Sequence, residues 1–246
     1  MASSCTRRCF AAGMAGGFLA ACRAAGNLRL TSRPGKSPIG CDPGVHALEL
    51  RRERDTLFYA PRGADPGNPA PLVVYLHGAT GSEKQGITRL SGLSEELGFL
   101  LLSPASGGGT WDAMQDGYGH DVRMIDQALS LVFERRRVDP KRIALAGFSD
   151  GGSYALGLGL GNGDLFGAVL AFSPGLIPVG STQKGTPRVY VSHGRRDQIL
   201  PIEMCSRHIV PELKRAGYPV TYREFDGPHG VPPEIASEAM KWFMGS

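Results

Sequence analysis

Short apolar runs alternate with amphipathic stretches through most of this chain. Pro71-Leu72-Val73-Val74-Tyr75-Leu76 is apolar without polar alternation, which suits a parallel strand covered on both faces. Runs of the same kind follow at Gly98–Ser103, Arg142–Phe148, Gly167–Phe172, Arg188–Ser192 and Val220–Phe225. Helical stretches lie between them. The clearest is Asp121–Arg137, where Val122, Ile125, Leu129 and Val132 recur at helical spacing; Ile202–Ala216 is another, and a final helix follows the last strand. Ahead of these runs, Leu48–Tyr59 reads as an early antiparallel strand pair with its charges outside. Strands alternating with helices predict an α/β fold, a mostly parallel central sheet with helices on both faces. No internal repeat is visible, and the 246 residues suit one domain over 47–246.

The beginning of the chain has a different character. Arg7 and Arg8 precede an apolar, small-residue stretch from Phe10 to Ala21, and no acidic residue occurs before Asp42. Such a stretch is too short to span a bilayer and fits an export signal over 1–21. Thr6-Arg7-Arg8-Cys9-Phe10 is similar to a twin-arginine signal, although Ala11 and Ala12 stand where Leu-Lys is usual, so general secretion stays open. Leu19-Ala20-Ala21-Cys22 is similar to a bacterial lipobox, which would make Cys22 a lipidation site and anchor the protein to a membrane; an ordinary cleaved signal is the alternative. Residues 22–46, with Pro34, Pro38 and Pro43 among glycines, read as a flexible tether. Export places Cys41 and Cys205 in an oxidising compartment, where they either pair or stay free.

Composition narrows the field mainly by exclusion. Hydrophobic content of 41% and charged content of 20% are globular values. Of the 27 basic residues, Arg7 and Arg8 leave with the signal, so the net charge falls from +4 to +2 and nucleic acid is excluded as an expected partner.

The chemistry centres on Gly147-Phe148-Ser149-Asp150-Gly151-Gly152. In a chain with 35 glycines the G-x-S-x-G pattern alone is weak. Its place between the strand Arg142–Ala146 and a helix of small residues is what gives it weight. In a nucleophile elbow the serine takes a strained turn and its flanks must be small. Ala171-Phe172-Ser173-Pro174-Gly175 also follows a strand, but Pro174 has no N–H for an oxyanion, so Ser173 is a poor nucleophile.

A serine hydroxyl needs a base, and the base needs an acid to fix its tautomer. In this fold the order is Ser, acid, His. His229, in the turn Gly227-Pro228-His229-Gly230, follows the last strand and fits the base. His193 falls before the expected acid, and His208 lies within a helix where a surface histidine is ordinary. Asp197, one loop beyond the strand Arg188–Ser192, fits the acid; Asp226, three residues before His229, is its rival. The oxyanion hole needs two backbone donors, expected at Asp150 N–H and at Ala79 N–H in His77-Gly78-Ala79-Thr80-Gly81, with His77 structural.

Taken together, Leu76-His77-Gly78, the Ser149 elbow, His193-Gly194-Arg195-Arg196-Asp197 and Gly227-Pro228-His229 resemble the α/β-hydrolase superfamily. They are most similar to the phospholipase/carboxylesterase group and to secreted feruloyl esterases and polyhydroxybutyrate-depolymerase-like proteins. The resemblance covers roughly 46–246. It implies a triad of Ser149, Asp197 and His229, no metal and no organic cofactor.

The chain between Phe172 and Asp197 is too short for a cap domain, which predicts an open cleft. Trp111, Met114, Tyr118, Ile199 and Leu200 are candidate pocket residues; for Trp111 the alternative is that it covers loop backbone. The expectation is an exported, periplasmic or cell-surface serine esterase acting on a small-molecule or polymer ester. A serine peptidase of the same fold and an inactive, binding lipoprotein remain the alternatives.

Overall fold

The computed structural model describes residues 28–35, 39–115, 117–178 and 183–245. The expected export signal and Cys22 lie outside them. Each of the six apolar runs forms a strand. In chain order the elements are β1 (Gly44–Ala47), β2 (Leu57–Ala60), β3 (Ala70–Leu76), α1 (Lys84–Leu97), β4 (Leu100–Ser103), α2 (His120–Arg135), β5 (Val138–Phe148), α3 (Asp150–Gly161), β6 (Ala168–Phe172), β7 (Arg188–Gly194), α4 (Ser206–Arg215), β8 (Val220–Phe225) and α5 (Pro233–Met244). They build one eight-stranded sheet of order β1-β2-β4-β3-β5-β6-β7-β8. β1 and β2 are antiparallel to their neighbours, and β4 through β8 run parallel. This is the α/β-hydrolase fold.

The uniform apolar runs follow from two-sided burial. Along β3, Leu72, Val74 and Leu76 face one core with α2, α3 and α4, while Val73 and Tyr75 face the other with α1 and α5. All of β3 is buried. The chain leaves β3 for β4 on one side and β5 on the other, so order reverses between β3 and β5. The loops after these two strands flank the crevice where α/β sheets bind ligands.

Two sequence expectations are corrected here. The early antiparallel pair is β1 with β2, placed at Gly44–Ala47 and Leu57–Ala60 rather than throughout Leu48–Tyr59. The intervening charges form the turn, where the Asp55 carboxylate accepts from the N–H groups of Glu49, Leu50 and Thr56. Nor is 22–46 a free tether over its described part. Leu28 and Leu30 are buried in the core, and Leu30 N–H donates to the Asn162 side chain at 2.9 Å. Thr31 and Ser32 donate to Asp126, and Arg29 and Arg33 pair with Asp164. Two leucines among prolines carry no helical or strand period, so this docking left no pattern to read. Burying each leucine contributes about 1.5–3 kcal/mol.

Candidate active site

The turn at Ser149 is built by close approach. A Cβ on Gly147 would stand 2.1 Å from Gly151 O, and one on Gly151 would stand 2.3 Å from Leu76 O. Neither position admits a side chain, so strand, helix and β3 close in on one another. Ser149 takes φ +56°, ψ −120°, a strained conformation for a residue with a Cβ. Its N–H is held by Phe172 O at 2.9 Å. The hydroxyl is thereby set at the C-terminal edge of the sheet, at the head of α3.

Three side chains from separate loops converge there. Ser149 Oγ lies 2.9 Å from His229 Nε2, and His229 Nδ1 lies 2.6 Å from Asp197 Oδ2. A carboxylate only accepts, so Nδ1 carries the hydrogen and Nε2 offers its lone pair to the serine hydroxyl. Asp197 Oδ1 accepts the N–H groups of Ile199 at 2.9 Å and Leu200 at 2.8 Å. The acid side chain is fully buried, whereas 14% of the His229 side chain remains exposed. Phe148 packs against the imidazole, with ring centroids 4.7 Å apart. Asp226 points outward instead, paired with Arg196 at 2.7 Å. Ser173 is buried and its hydroxyl donates to Gly230 O at 3.3 Å.

The loop after β3 leans on Ser149: a Cβ on Gly78 would be 3.3 Å from Ser149 Cβ. Within it, Thr80 N–H donates to Gly109 O and Gly81 N–H to Gly78 O. Ala79 directly precedes these engaged amides. Asp150 opens α3, so its N–H has no acceptor one turn back in the helix. Its carboxylate is fixed separately, by the Thr110 hydroxyl at 2.6 Å. His77 is fully buried; its Nδ1–H donates to Gly78 O and its Nε2 accepts from Ser106 N–H. Burial pushes its pKa down, which keeps it a neutral strut.

The pocket candidates divide. Trp111 and Tyr118 are buried, Trp111 donating its indole N–H to His77 O at 2.8 Å and both rings packing on Tyr154. They buttress the loop and present almost no surface to a ligand. Met114 is packed against the same core. Ile199 is 71% exposed beside the acid, and Leu200 reaches the Gly175 backbone. Leu176, next to Gly175 and 51% exposed, adds a third apolar side chain at this edge. Sequence reasoning missed Leu176, whose one signal is its place directly after a strand exit. A groove of about 820 Å³ between α1 and α5, lined by Arg89, Leu93, Val231 and Ala236, includes none of the expected pocket residues.

Sequence reasoning also set His193 aside for its position before the acid. It is buried at the end of β7, with Nε2 3.1 Å from Asp197 Oδ2. Cys41 and Cys205 are both free thiols. Among the described residues, no group of three or more His, Cys, Asp or Glu side chains is placed to hold a metal ion.

The comparisons with known proteins agree with this architecture. The profile of the Esterase family (“Putative esterase”) matches residues 47–196. The bifunctional acetylxylan esterase/xylanase XynS20E of Neocallimastix patriciarum is 28% identical over 155 residues, which is 60% of this chain and 22% of that protein. The chain thus spans about a fifth of the length of this relative. S-formylglutathione hydrolase FrmB from Staphylococcus aureus superimposes with a TM-score of 0.66 at 16% identity, covering 85% of this chain and all of that one. An S-formylglutathione hydrolase from Agrobacterium tumefaciens gives 0.61 at 20% identity, over 82% and 93% of the two chains. On the family match over most of the catalytic domain, this chain belongs to the Esterase family.

Proposed function

We propose that the protein is an exported serine hydrolase that cleaves carboxylic esters through a Ser149–His229–Asp197 triad and an acyl-enzyme. The observation that carries this reading is the continuous relay from Ser149 Oγ through His229 to Asp197, at 2.9 and 2.6 Å. His229 Nε2 takes the hydroxyl proton as Oγ attacks the ester carbonyl. The tetrahedral oxyanion is met by the N–H groups of Ala79 and Asp150. Collapse expels the alcohol, which leaves with the proton from His229. A water then enters, gives its proton to His229, and attacks the acyl carbon; Ser149 recovers its hydrogen as the acid departs. Throughout, Asp197 holds Nδ1–H and stabilises the imidazolium.

Support for an ester substrate comes from the family match and from the acetylxylan esterase/xylanase relative. β6 ends at Phe172 and β7 starts at Arg188, too short an interval for a cap domain, which supports access for a small or polymeric ester. Ile199, Leu200 and Leu176 offer the acyl group an apolar rim. Export is supported by the basic and apolar start of the sequence. If Cys22 is lipidated, only five residues separate it from docked Leu28, a reach of about 20 Å. Leu28 docks beside Asn162, just past the far end of the 12-residue α3, about 18 Å below the Ser149 end. Such an anchor would attach at the end of α3 opposite Ser149.

The test is turnover of matched 4-nitrophenyl esters and anilides of graded chain length by wild type and Ser149→Ala. Ester hydrolysis that Ser149→Ala abolishes, with slow or no anilide cleavage, is the expected result. Preferred anilide cleavage would make the protein an amidase; equal turnover by both proteins would remove Ser149 from the mechanism.

A further inference from the structure

The Asp197 carboxylate faces two imidazoles. His193 Nε2 stands 3.1 Å from Asp197 Oδ2 and 2.8 Å from Leu200 O. Both partners are acceptors, so Nε2 carries a hydrogen. Nδ1 stands 2.5 Å from Ser206 Oγ, in the first turn of α4. Burial pushes the His193 pKa down, and the positive end of α4 further disfavours an imidazolium. Nδ1 is therefore a lone pair, and it takes the Ser206 hydroxyl hydrogen. His193, Ser206 and the Asp197 side chain are all fully buried, so none of these contacts competes with solvent.

We propose that His193 is a positioning residue of the triad: locked in one tautomer by Ser206, it donates to Asp197 Oδ2 and sets both the aim and the strength of that carboxylate. The proposal rests on the triad reading above. Asp197 Oδ1 is held by two backbone amides and Oδ2 by His229, while the single His193 Nε2–H is shared between Leu200 O at 2.8 Å and Oδ2 at 3.1 Å, so the carboxylate plane is met from both ends. The hydrogen bond from His193 draws charge from the oxygen that His229 uses. Its loss leaves Oδ2 pulling harder on His229 Nδ1–H, which makes His229 more basic, and leaves Asp197 freer to turn. Other titratable neighbours do not duplicate this role. The Cys205 thiol is pushed up by burial and by the Asp197 charge, so it stays neutral, while Arg196 is engaged outside with Asp226. On the far side of His229 lies Phe148, capped by Arg89.

The experiment compares wild type, His193→Phe, His193→Gln and Ser206→Ala in the full chain, using a neutral 4-nitrophenyl ester over about pH 5 to 9. Active sites are counted by fluorophosphonate titration and folding is checked by thermal unfolding. His193→Phe is expected to lower kcat roughly tenfold with little change in KM, and to move the acid limb of kcat/KM up by roughly 0.5 pH unit. His193→Gln keeps an N–H at the same bond count from Cβ and should recover most of both. Ser206→Ala should shift both in the direction of Phe, by less. A folded His193→Phe with an unmoved limb would overturn the proposal, as would His193→Gln matching Phe. Should Phe fail to fold, an unmoved limb in Ser206→Ala does the same. If Ser149→Ala retains wild-type turnover, the triad reading itself fails and takes this proposal with it.

Discussion

Trp111 donates its indole N–H to the main-chain carbonyl of His77, 2.8 Å away, inside the wall behind the 77–81 loop. The same indole packs on the His77 ring at 4.9 Å between centroids and on Tyr154 at 5.2 Å. A residue distant from the reacting atoms thus fixes the start of the loop that carries Ala79. Trp111→Phe keeps most of the packing and leaves a buried carbonyl without its donor, at about 1–3 kcal/mol. We expect kcat to fall roughly tenfold, with KM changing less, because a loosened Ala79 N–H weakens transition-state binding selectively. Steady-state kinetics on one ester checks this.

Asp197 and Asp226 differ sharply in their surroundings. Asp197 is buried on His229 Nδ1, whereas the Asp226 side chain is 67% exposed and engages Arg196. On the proposed triad, Asp197→Asn should lower kcat by about 10⁴, the scale seen when a Ser-His-Asp hydrolase loses this carboxylate. Asp226→Asn should change kcat/KM by less than about twofold. Parallel measurement of the two variants decides the assignment.

Gly151 is packed where β3 meets α3, and an alanine methyl there would collide with the backbone carbonyls of Leu76 and His77. Backbone cannot swing aside as a flexible side chain can. Gly151→Ala should therefore destabilise the fold by more than about 3 kcal/mol, or abolish soluble expression. Denaturant unfolding against wild type reads the difference.

The docked segment 28–33 carries its own pH dependence. The Arg29 hydrogen bond, with those from Arg33 and Lys184, holds the Asp164 carboxyl well below its usual 3.8. Burial opposes such a shift at Asp126, but hydrogen bonds from Thr31 and Ser32 outweigh it and lower that carboxyl too. Groups depressed in the folded state stabilise it above their unfolded values and lose that contribution as pH falls. Docking should weaken progressively below about pH 4. Hydrogen exchange at Leu30, Thr31 and Ser32 should accelerate there ahead of the sheet, and Asp164→Asn should bring part of that acceleration to neutral pH.

Much of this molecule was legible in the sequence because two-sided burial writes uniform apolar runs, as at β3 and β6. The elbow was legible because steric closure leaves glycine at 147 and 151, where no other residue fits. Chain order pointed to His229 and Asp197, since the fold brings successive strand exits to one edge. Contacts that depend on three-dimensional return of the chain left no such trace. His193 lies on Asp197 because the loop 195–200 curls back over β7, and spacing alone reads it only as out of order. Trp111 reads equally as pocket or prop until its indole is seen on His77 O. Leu28 and Leu30 look like parts of a tether because nothing local shows Asn162 waiting for them.

The most direct measurement is intact-protein mass of wild type and Ser149→Ala after a fluorophosphonate, followed by peptide mapping. One adduct per wild-type chain, located on Ser149 and blocked by prior incubation with an ester substrate, is the expected result, with none on Ser149→Ala. An adduct on another residue, or equal modification of both proteins, would contradict a nucleophile at Ser149.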